Sequence, residues 1–415
     1  MEWKEVRLGD VVEIVNGFAF KSKAFMLEGI PVIKIKNIKA GKVILNDLDY
    51  ISTSDINPKY TKIRSSDILI TMTGNRMDGS PETWVGKVSL FRHQGDFYLN
   101  QRVSALRLID DSVDNNFLSY YLSSWQSQLY FALNSNSSGG QANITPAVVQ
   151  EYRLMVPGLE TQRSIASILS SLDRKIELNN KINADLEEMA QAIFKNWFVD
   201  FEPFKDGKFM DSELGMIPEG WKVGRADDFY QINIGKTPPR KEHKWFSTNP
   251  ADKIWVSIAN MGNSGIFISD SSEYLTKEAV DRHNIIMVPR NTILLSFKLT
   301  VGRVAIADKE LTTNEAIARF ILSDDKYMEY LYLYLKKYDY NSLGSTSSIA
   351  TAVNSKTIKG MQMLQPSDKI IDAFHIQVNP IFEKIRSLTK ENSRLSLLRD
   401  TLLPRLMSGE IEVPD

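Results

Sequence analysis

The stretch RSIASILSSLDRKIELNNKINADLEEMAQAIFKNWF, residues 163–198, repeats apolar side chains at spacings of three and four residues. This spacing places them on one face of a helix, as in the seam of a coiled coil. Polar Asn179 fills the one gap in the seam, where such a residue usually fixes the register at some cost in stability. The seam residues are Ile165, Ile168, Leu172, Ile176, Ile182, Leu186, Met189, Ile193 and Trp197.

The same pattern returns near the end of the sequence, with Asn392 in its gap. A helix of about 33 residues spans roughly 50 Å. The narrow seam between charged flanks favours pairing of the two helices, although each helix could instead pack on its own domain. Because a long connection joins them, we expect an antiparallel coiled coil with one domain at either end. The second seam contains Ile371, Phe374, Val378, Ile381, Ile385, Leu388, Leu395, Leu398, Leu402 and Leu406.

An internal repeat extends through the rest of the chain. Trp3-Lys4 recurs as Trp221-Lys222, LSYYL (118–122) as LYLYL (331–335), and Pro157 as Pro366. The glycine-containing triplet at 86–88, Gly-Lys-Val, likewise recurs as Gly-Arg-Val at 302–304. The shared order of these matches, rather than any one of them, indicates two copies of one design.

Each copy begins with a mixed α/β region. Short apolar runs such as VVEIV (11–15) are strand-like, and residues 117–133 and 327–338 look helical. Segments 134–143 and 341–348, rich in Ser, Asn and Gly, are predicted to be flexible loops. We therefore predict an α/β (α+β) fold with two tandem domains and an antiparallel pair of long helices. The predicted boundaries are a first domain at 1–156, a first helix at 157–201, a linker at 202–220, a second domain at 221–365, and a second helix with a tail at 366–415.

The composition excludes several kinds of site. The 415 residues include no cysteine, so neither a disulfide nor a thiolate zinc site is present. The start, MEWKEVRLGD, has no apolar core of a signal peptide, and no apolar run reaches the length of a membrane span. We therefore expect a cytoplasmic protein. The net charge of −1 neither requires nor excludes a nucleic-acid partner.

No catalytic or metal site is expected. The four histidines, at 93, 243, 283 and 375, do not lie at metal-ligand spacings. The sequence has neither a GxxxxGK[ST] phosphate loop nor a GxSxG nucleophile motif.

Basic segments in both copies are candidates for DNA contact. Lys and Arg neutralise phosphates, Arg reads guanine, and Asn or Gln reads adenine. Any one of these residues could instead be part of a solvated surface, but their recurrence in both copies favours DNA. The candidate residues are Lys21, Lys23, Lys34, Lys36, Asn37, Lys39, Arg76, Lys87, Gln101, Arg102, Lys236, Arg240, Lys241, Lys244, Asn260, Lys298 and Arg303.

Several motifs carry a family resemblance. Residues 156–204, beginning VPGLETQ and ending WFVDFEPF, and the following SELGMIPEGWKVG look very much like the central region of type I restriction-modification specificity subunits. The amino-terminal W-K-x-x-x-L-G-D and the LLxxLxSGEIxV near the end also resemble that family.

The resemblance implies a non-catalytic subunit with two target-recognition domains. Each domain would read one half of a split site on double-stranded DNA, and the helices would set the unread spacer. Two methyltransferase subunits would dock on the helices and their ends, and restriction (motor) subunits would join them. Adenine-N6 methylation would belong to these partners, so S-adenosylmethionine, Mg²⁺ and ATP are partner cofactors and this chain itself is expected to use none.

The docking candidates are Gln162 and the aromatic residues where the first helix stops. These aromatics are expected to pack against the second domain or a partner subunit. Gln162 aligns with Ile371, so the second copy lacks this glutamine at its helix start. The aromatic candidates are Trp197, Phe198, Phe201 and Phe204.

Two other function classes remain open from the residues alone. A stand-alone methyltransferase or nuclease would need a cofactor loop or an Asn/Asp-Pro-Pro-aromatic motif, and the nearest string, Thr-Pro-Pro-Arg at 237–240, lacks both end residues of that motif. A non-catalytic coiled-coil adaptor without DNA specificity would show no salt-dependent affinity for DNA.

Overall fold

The computed structural model describes residues 3–54, 56–77, 80–138, 140–343 and 353–413. The chain divides into two compact units. Unit 1 contains Met1–Ile176 and Arg394–Asp415, and unit 2 contains Glu177–Ser393. Most of the predicted second flexible loop, 341–348, lies outside the described residues. Of the helices in these ranges, none is long and apolar enough to span a membrane.

Unit 1 combines short strands with short helices. Its strands are β1 (Lys4–Arg7), β2 (Val12–Asn16), β3 (Ile30–Ile33), β4 (Ile38–Lys39), β5 (Lys42–Val43), β6 (Asp49–Ile51), β7 (Ile68–Thr71), β8 (Thr73–Gly74), β9 (Val88–Leu90), β10 (Tyr98–Leu99), β11 (Val103–Leu108), β12 (Asn136–Ser138), β13 (Gln141–Asn143) and β14 (Arg153–Val156). Its short helices are α1 (Leu8–Val11), α2 (Asn115–Ser123), α3 (Trp125–Leu133) and α4 (Pro146–Gln150).

The main sheet of unit 1 is antiparallel, with the strand order β2-β11-β7-β9. In a second sheet, β3 runs parallel to β10 and antiparallel to β6. The prediction of a flexible loop at 134–143 is wrong, because most of this segment forms the hairpin β12–β13. The hairpin is held by pairing of β13 with β8, where buried Ala142 lies opposite Gly74. Tertiary pairing therefore overrides the local loop composition.

Two long helices follow the α/β regions, α5 (Leu159–Phe198) and later α11. Between α5 and the second copy lies a linker with the small hairpin β15 (Phe209–Met210) and β16 (Ile217–Pro218). The remaining strands are β17 (Lys222–Arg225), β18 (Gln231–Ile234), β19 (Phe246–Ser247), β20 (Lys253–Val256), β21 (Phe267–Ile268), β22 (Tyr274–Leu275), β23 (Ile293–Ser296), β24 (Val304–Ala307), β25 (Thr312–Thr313), β26 (Ile317–Ile321) and β27 (Gln362–Gln365). The helices of this part are α6 (Ala226–Phe229), α7 (Ile258–Asn263), α8 (Lys277–Arg282), α9 (Met328–Lys337), α10 (Ser355–Lys359) and α11 (Asp368–Met407).

Unit 2 repeats the topology of unit 1. Its main sheet has the order β18-β26-β23-β24, with β21 added at the edge. Its second sheet again has a central strand, β20, that is parallel to one neighbour (β25) and antiparallel to the other (β22). Strands β17 and β27 pair as β1 and β14 do in unit 1. The predicted mixed α/β fold and its internal repeat are confirmed.

The long helices are equivalent elements of 40 residues each. In unit 2, the Asn179 amide donates to the side-chain oxygens of Asn392 and Glu391, both at 2.9 Å. In unit 1, Arg399 contacts Asp173 at 2.8 Å. Further along in unit 2, the Phe194 ring lies 6.3 Å from the Phe374 ring. Contact positions on α11 therefore fall as those on α5 rise, so the helices are antiparallel in unit 2. The predicted pairing is confirmed, and the two gap asparagines meet each other.

The aromatics at 197–204 close the core of unit 2. Phe198 is 5% exposed, and its ring lies 4.8 Å from the rings of both Tyr330 and Phe374. Where the chain leaves α5, Phe201 adopts a positive φ of 54° and packs on Trp221. Of the two predicted partners for these aromatics, the structure shows the second domain.

Candidate nucleic-acid interface

In both units, two backbone segments cross closely at a glycine, and this glycine crossing fixes the same loops. Beyond β2, a Cβ on Gly17 would lie 2.1 Å from the carbonyl oxygen of Asn100, and beyond β18, one on Gly235 would lie 1.9 Å from that of Asn314. No larger residue fits this close backbone approach. The segment that follows each glycine, 18–29 or 236–245, is thereby held beside the turn that contains Asn100 or Asn314. Most of the predicted cations lie in or near these segments.

In unit 1, the candidate lysines differ in how free they are. Lys21, Lys23 and Lys39 are exposed and have no ion-pair partner within the described part of the chain. Lys34 and Lys36 both contact Asp49 at 3.1 Å, and Lys36 also contacts Asp47. Burial would raise the pKa of Asp49, but hydrogen bonds from the two lysines hold it below its usual value. Part of the charge of Lys34 and Lys36 is therefore used inside the protein.

Asn37 and Lys87 do not face the surface. The Asn37 amide accepts from the Lys34 backbone N–H at 3.0 Å and donates to the Ile44 carbonyl at 3.1 Å, and its side chain is buried. The Lys87 ammonium donates to the Pro81 carbonyl at 2.8 Å, and burial lowers its pKa to about 8. The predictions that these two residues contact DNA are wrong, because both side chains are used to hold turns.

The turn after Asn100 brings further elements of unit 1 together. Gln101 and Arg102 are exposed there, as is Arg76 on the loop after β8. The Arg102 guanidinium donates to the Thr73 hydroxyl at 3.0 Å and to the Asn143 amide oxygen at 3.3 Å. The β12–β13 hairpin therefore reaches this surface, a contribution that the loop prediction missed.

Several cations of unit 2 are held by aromatic rings and carboxylates. The Arg240 guanidinium contacts Glu273 at 2.5 Å and lies over the rings of Phe246 and Trp255, at 4.2 and 4.5 Å. Lys244 lies 4.3 Å from the ring centre of Trp245. Lys236 donates to the His283 carbonyl at 2.5 Å, and Lys241 is exposed. The cation–π contacts hold Arg240 and Lys244 in place, while Glu273 and Glu242 neutralise part of their charge.

Three loops of unit 2 meet at Glu315. The Thr237 hydroxyl donates to its carboxylate. Burial would raise the pKa of Glu315, but this hydrogen bond and the nearby charges of Lys298 and Arg240 hold it below its usual value. The basic segment 236–245, the turn at 314–316 and the loop at 297–303 therefore share one surface.

Asn260 and Arg303 mainly support this surface. Asn260 caps its own helix by accepting from the Ser257 backbone N–H at 2.9 Å. The Arg303 guanidinium donates to the Ile258 carbonyl at 2.8 Å. Both residues remain partly exposed, so their contact with DNA stays a prediction.

A buried arginine beneath this surface was missed by the sequence analysis. Arg319 on β26 is 2% exposed and donates to the carbonyls of Ile286 and Ile234, at 2.8 and 2.7 Å. Burial lowers its pKa to about 10, so it stays charged at neutral pH. Ile234 directly precedes the glycine crossing, so Arg319 adds positive charge and fixes the base of the basic segment. An arginine between apolar residues, in AIARFIL, is the sequence signal that could have identified it.

The docking candidates also have internal partners. Gln162 is 1% exposed, accepts from the Asp114 backbone N–H at 2.8 Å, and donates to the carbonyls of Ser112 and Pro157. It fastens the start of α5 to its own domain, so its prediction as a docking residue is wrong. The same holds for Phe198, which is buried. Trp197, Phe201 and Phe204 are half-buried against the core of unit 2, which leaves little of them for a partner.

No metal site is formed by the described residues, since they contain no group of three or more acidic or histidine side chains arranged to hold an ion.

The fold and the paired basic surfaces define a protein with two equivalent recognition units. The sequence profile of the type I restriction modification DNA specificity domain matches residues 1–188 and again 218–375. The chain belongs to this family, as its motifs predicted, and its role is to provide DNA specificity rather than catalysis.

Individual relatives cover nearly the whole chain. It is 29% identical to the type I restriction enzyme HindI specificity subunit of Haemophilus influenzae, over 99% of this chain and 100% of that protein. It is 27% identical to the MjaIX specificity subunit of Methanocaldococcus jannaschii, over 100% of this chain and 94% of the relative. The fold is similar to the crystal structure of a type I restriction-modification S subunit from M. genitalium, with a TM-score of 0.56 and 15% identity over 100% and 97% of the two chains.

Proposed function

We propose that each unit reads one half of a bipartite site on double-stranded DNA and that the helix pair sets the unread spacer. The recurrence of one loop arrangement in both units, fixed by Gly17 and Gly235, carries this proposal. Exposed lysines position phosphates, and the side chains at the turns after Asn100 and Asn314 reach base edges. Two units with the same loop arrangement are suited to a DNA site that has two halves.

The long helices support the second part of the proposal. A helix of 40 residues is about 60 Å long, and its length changes only with its residue count. The Asn179–Asn392 hydrogen bond fixes the register of the pair. Since a slipped register would bury an unpaired amide, the helix pair has one defined length.

A repeated cavity supports docking of two copies of one partner. In unit 2, a cavity of about 520 Å³ adjoins the start of α11, and in unit 1 one of about 550 Å³ adjoins the start of α5. Lys222 lines the first and its counterpart Lys4 the second. We propose that these cavities, rather than Gln162 and the aromatic residues, receive the same segment of two methyltransferase subunits, and that restriction subunits join this assembly.

The chemistry belongs to the partners in this proposal. They supply adenine-N6 methylation with S-adenosylmethionine, and cleavage with Mg²⁺ and ATP, while this chain supplies no cofactor site. The assembly works on host DNA in the cytoplasm.

The direct test is co-expression of this chain with the methyltransferase encoded beside it, followed by mapping of N6-methyladenine on host DNA by single-molecule sequencing. We expect a split motif, methylated on both strands, with a fixed spacer. Methylation at one undivided site would contradict the two-reader proposal, and a soluble complex that methylates nothing would favour an adaptor.

Docking is tested separately. Lys4→Glu and Lys222→Glu are each expected to remove one methyltransferase copy, measured as the mass of the purified complex. Lys337→Glu, a charge reversal elsewhere on unit 2, is the control. Two copies retained in both cavity variants would rule out the cavities as the docking sites.

A further inference from the structure

Leu299 occupies an unusual position on the surface of unit 2. It is 99% exposed at the tip of the loop that joins β23 and β24. Its φ is +62°, a conformation that is strained for a residue with a bulky side chain. The Thr300 N–H donates to the Lys298 carbonyl at 2.7 Å, which makes Leu299 the centre of a tight three-residue turn. Neither the strain nor the exposure stabilises the unit, so the side chain is suited to a contact outside it.

The base of this loop is rigid. The Gly302 N–H donates to the Ser296 carbonyl at 3.0 Å, and the Ser296 hydroxyl donates to the Thr300 carbonyl at 2.5 Å. Phe297 is buried at one side of the base, and Arg303 is fixed to Ile258 at the other. The loop therefore presents Leu299 in a preformed position, without an ordering cost when it binds.

The surroundings of Leu299 indicate what it contacts. Lys298 precedes it, and this loop shares the surface around Glu315 with Thr237 and Arg240. Cations flanking a protruding apolar side chain are suited to a polyanion with an apolar interior. In DNA, that interior is the base stack, and proteins enter it with apolar side chains such as leucine.

The equivalent connection of unit 1, between β7 and β9, is longer and contains β8. It closes on Gly86, whose N–H donates to the Thr71 carbonyl at 3.0 Å, as Gly302 does to Ser296. The exposed cation Arg76 is followed by Met77, which is 39% exposed. A cation followed by an exposed apolar residue thus occurs between the same two strands in both units.

We propose that Leu299 is a wedge that enters the base stack of the half-site read by unit 2, with Lys298 on an adjacent phosphate. This inference rests on the proposed function. The wedge unstacks one base step, so unit 2 also selects a step that deforms easily, at a position where no base edge is read.

The test uses the complex of this chain with its methyltransferase and a duplex carrying the mapped site. 2-Aminopurine is placed in turn at each position of the half-site of unit 2, apart from the methylated adenine. Because stacking quenches 2-aminopurine fluorescence, we expect the fluorescence at one position, the bright position, to rise when the wild-type complex binds. Leu299→Asn tolerates the positive φ and removes the apolar side chain; it should abolish this signal and weaken binding about tenfold. Leu299→Met should retain both the signal and the affinity.

A pre-opened duplex and a control variant complete the test. An abasic site at the bright position should restore most of the affinity of Leu299→Asn, because the step no longer has to be unstacked. Val301→Ala, on the same loop, should behave like wild type. The wedge proposal would be overturned if no position became bright with the wild-type complex, or if the Leu299→Asn complex still gave the bright position. Loss of site preference by the wild-type complex would instead contradict the proposed function.

Discussion

The end of α5 in unit 2 and the end of α11 in unit 1 are equivalent places built with different side chains. In unit 2, α5 ends in Phe194, Trp197 and Phe198, whose counterparts on α11 are Leu403, Leu406 and Met407. The aromatic end continues directly into the linker and the second domain. Aromatic rings supply the larger buried area that this continuation needs.

A polar group in unit 1 has an apolar counterpart in unit 2. In unit 1, Asp173 accepts from the Tyr120 hydroxyl at 2.6 Å and from Arg399 at 2.8 Å. The equivalent positions in unit 2 are Phe382, Leu333 and Ala190, all buried in one core.

Unit 2 has its own polar contact at another position. The fully buried Glu329 carboxylate lies 2.8 Å from both His375 and the amide nitrogen of Asn379. The counterparts of these three residues in unit 1 are Asn116, Ala166 and Ser170. The repeat therefore preserves the arrangement of the elements at the helix ends but not the side chains that make each contact. We infer that the different polar contacts match each helix end to its own unit.

The largest expected effect is at the aromatic end. Phe198→Ala should destabilise unit 2 by about 4 kcal/mol, and Met407→Ala should destabilise unit 1 by about 3 kcal/mol. Hydrogen exchange resolved by unit measures both, with the exposed neighbour Val199→Ala as a control near zero. If Met407→Ala cost unit 1 more stability than Phe198→Ala costs unit 2, the comparison would be reversed.

The polar group of unit 1 can be replaced by the apolar residues that occupy the equivalent positions of unit 2. Arg399→Ala alone should cost about 2 kcal/mol, because it leaves the half-buried Asp173 carboxylate without its cation. The triple variant Tyr120→Leu, Asp173→Phe, Arg399→Ala copies unit 2 and should lie within about 1 kcal/mol of wild type. Chemical unfolding of the three proteins gives the comparison. A triple variant less stable than the single one would show that unit 1 requires the polar group.

Free and ion-paired lysines of unit 1 should respond differently to loss of charge. Lys21→Gln with Lys23→Gln removes two free cations and should lower the salt dependence of DNA affinity by about two units of slope, with roughly tenfold weaker binding at low salt. Lys34→Gln with Lys36→Gln should have a smaller effect, because Asp47 and Asp49 already neutralise part of their charge. Affinity of the assembled complex for a duplex, measured against salt, decides between them. Equal effects would mean that DNA displaces those aspartates.

The smallest effect concerns the buried Lys87. Its pKa is lowered from 10.5 to about 8, so between these pH values the unfolded chain binds more protons than the folded one and stability rises with pH. Lys87→Met should stabilise unit 1 by about 1 kcal/mol at pH 7, and this advantage should disappear as pH approaches 10.5. Unfolding measured from pH 7 to pH 10.5 checks both the stabilisation by Lys87→Met at pH 7 and its loss at high pH. An advantage that grows with pH would contradict the burial of the charge.

The sequence predicted features that depend on local periodicity and on the repeat. The helix seam, the antiparallel pairing of the two long helices, and the two-copy α/β organisation all follow from residue spacing. The directions of side chains did not follow, because Asn37, Lys87 and Gln162 turn inward only in the context of neighbouring loops. The hairpin at 136–143 was missed for a similar reason, since its pairing partner, β8, lies far away in sequence.

The central claim, that two equivalent readers are spaced by the helix pair, is tested most directly by lengthening both helices. One heptad inserted after Ile176 and one after Leu395 preserves the Asn179–Asn392 contact on one side and the Asp173–Arg399 contact on the other. Seven residues add about 10 Å, or about three base pairs. Methylation mapping should then show both half-sites unchanged and a spacer longer by about that amount. An unchanged spacer, or altered half-sites, would contradict the account.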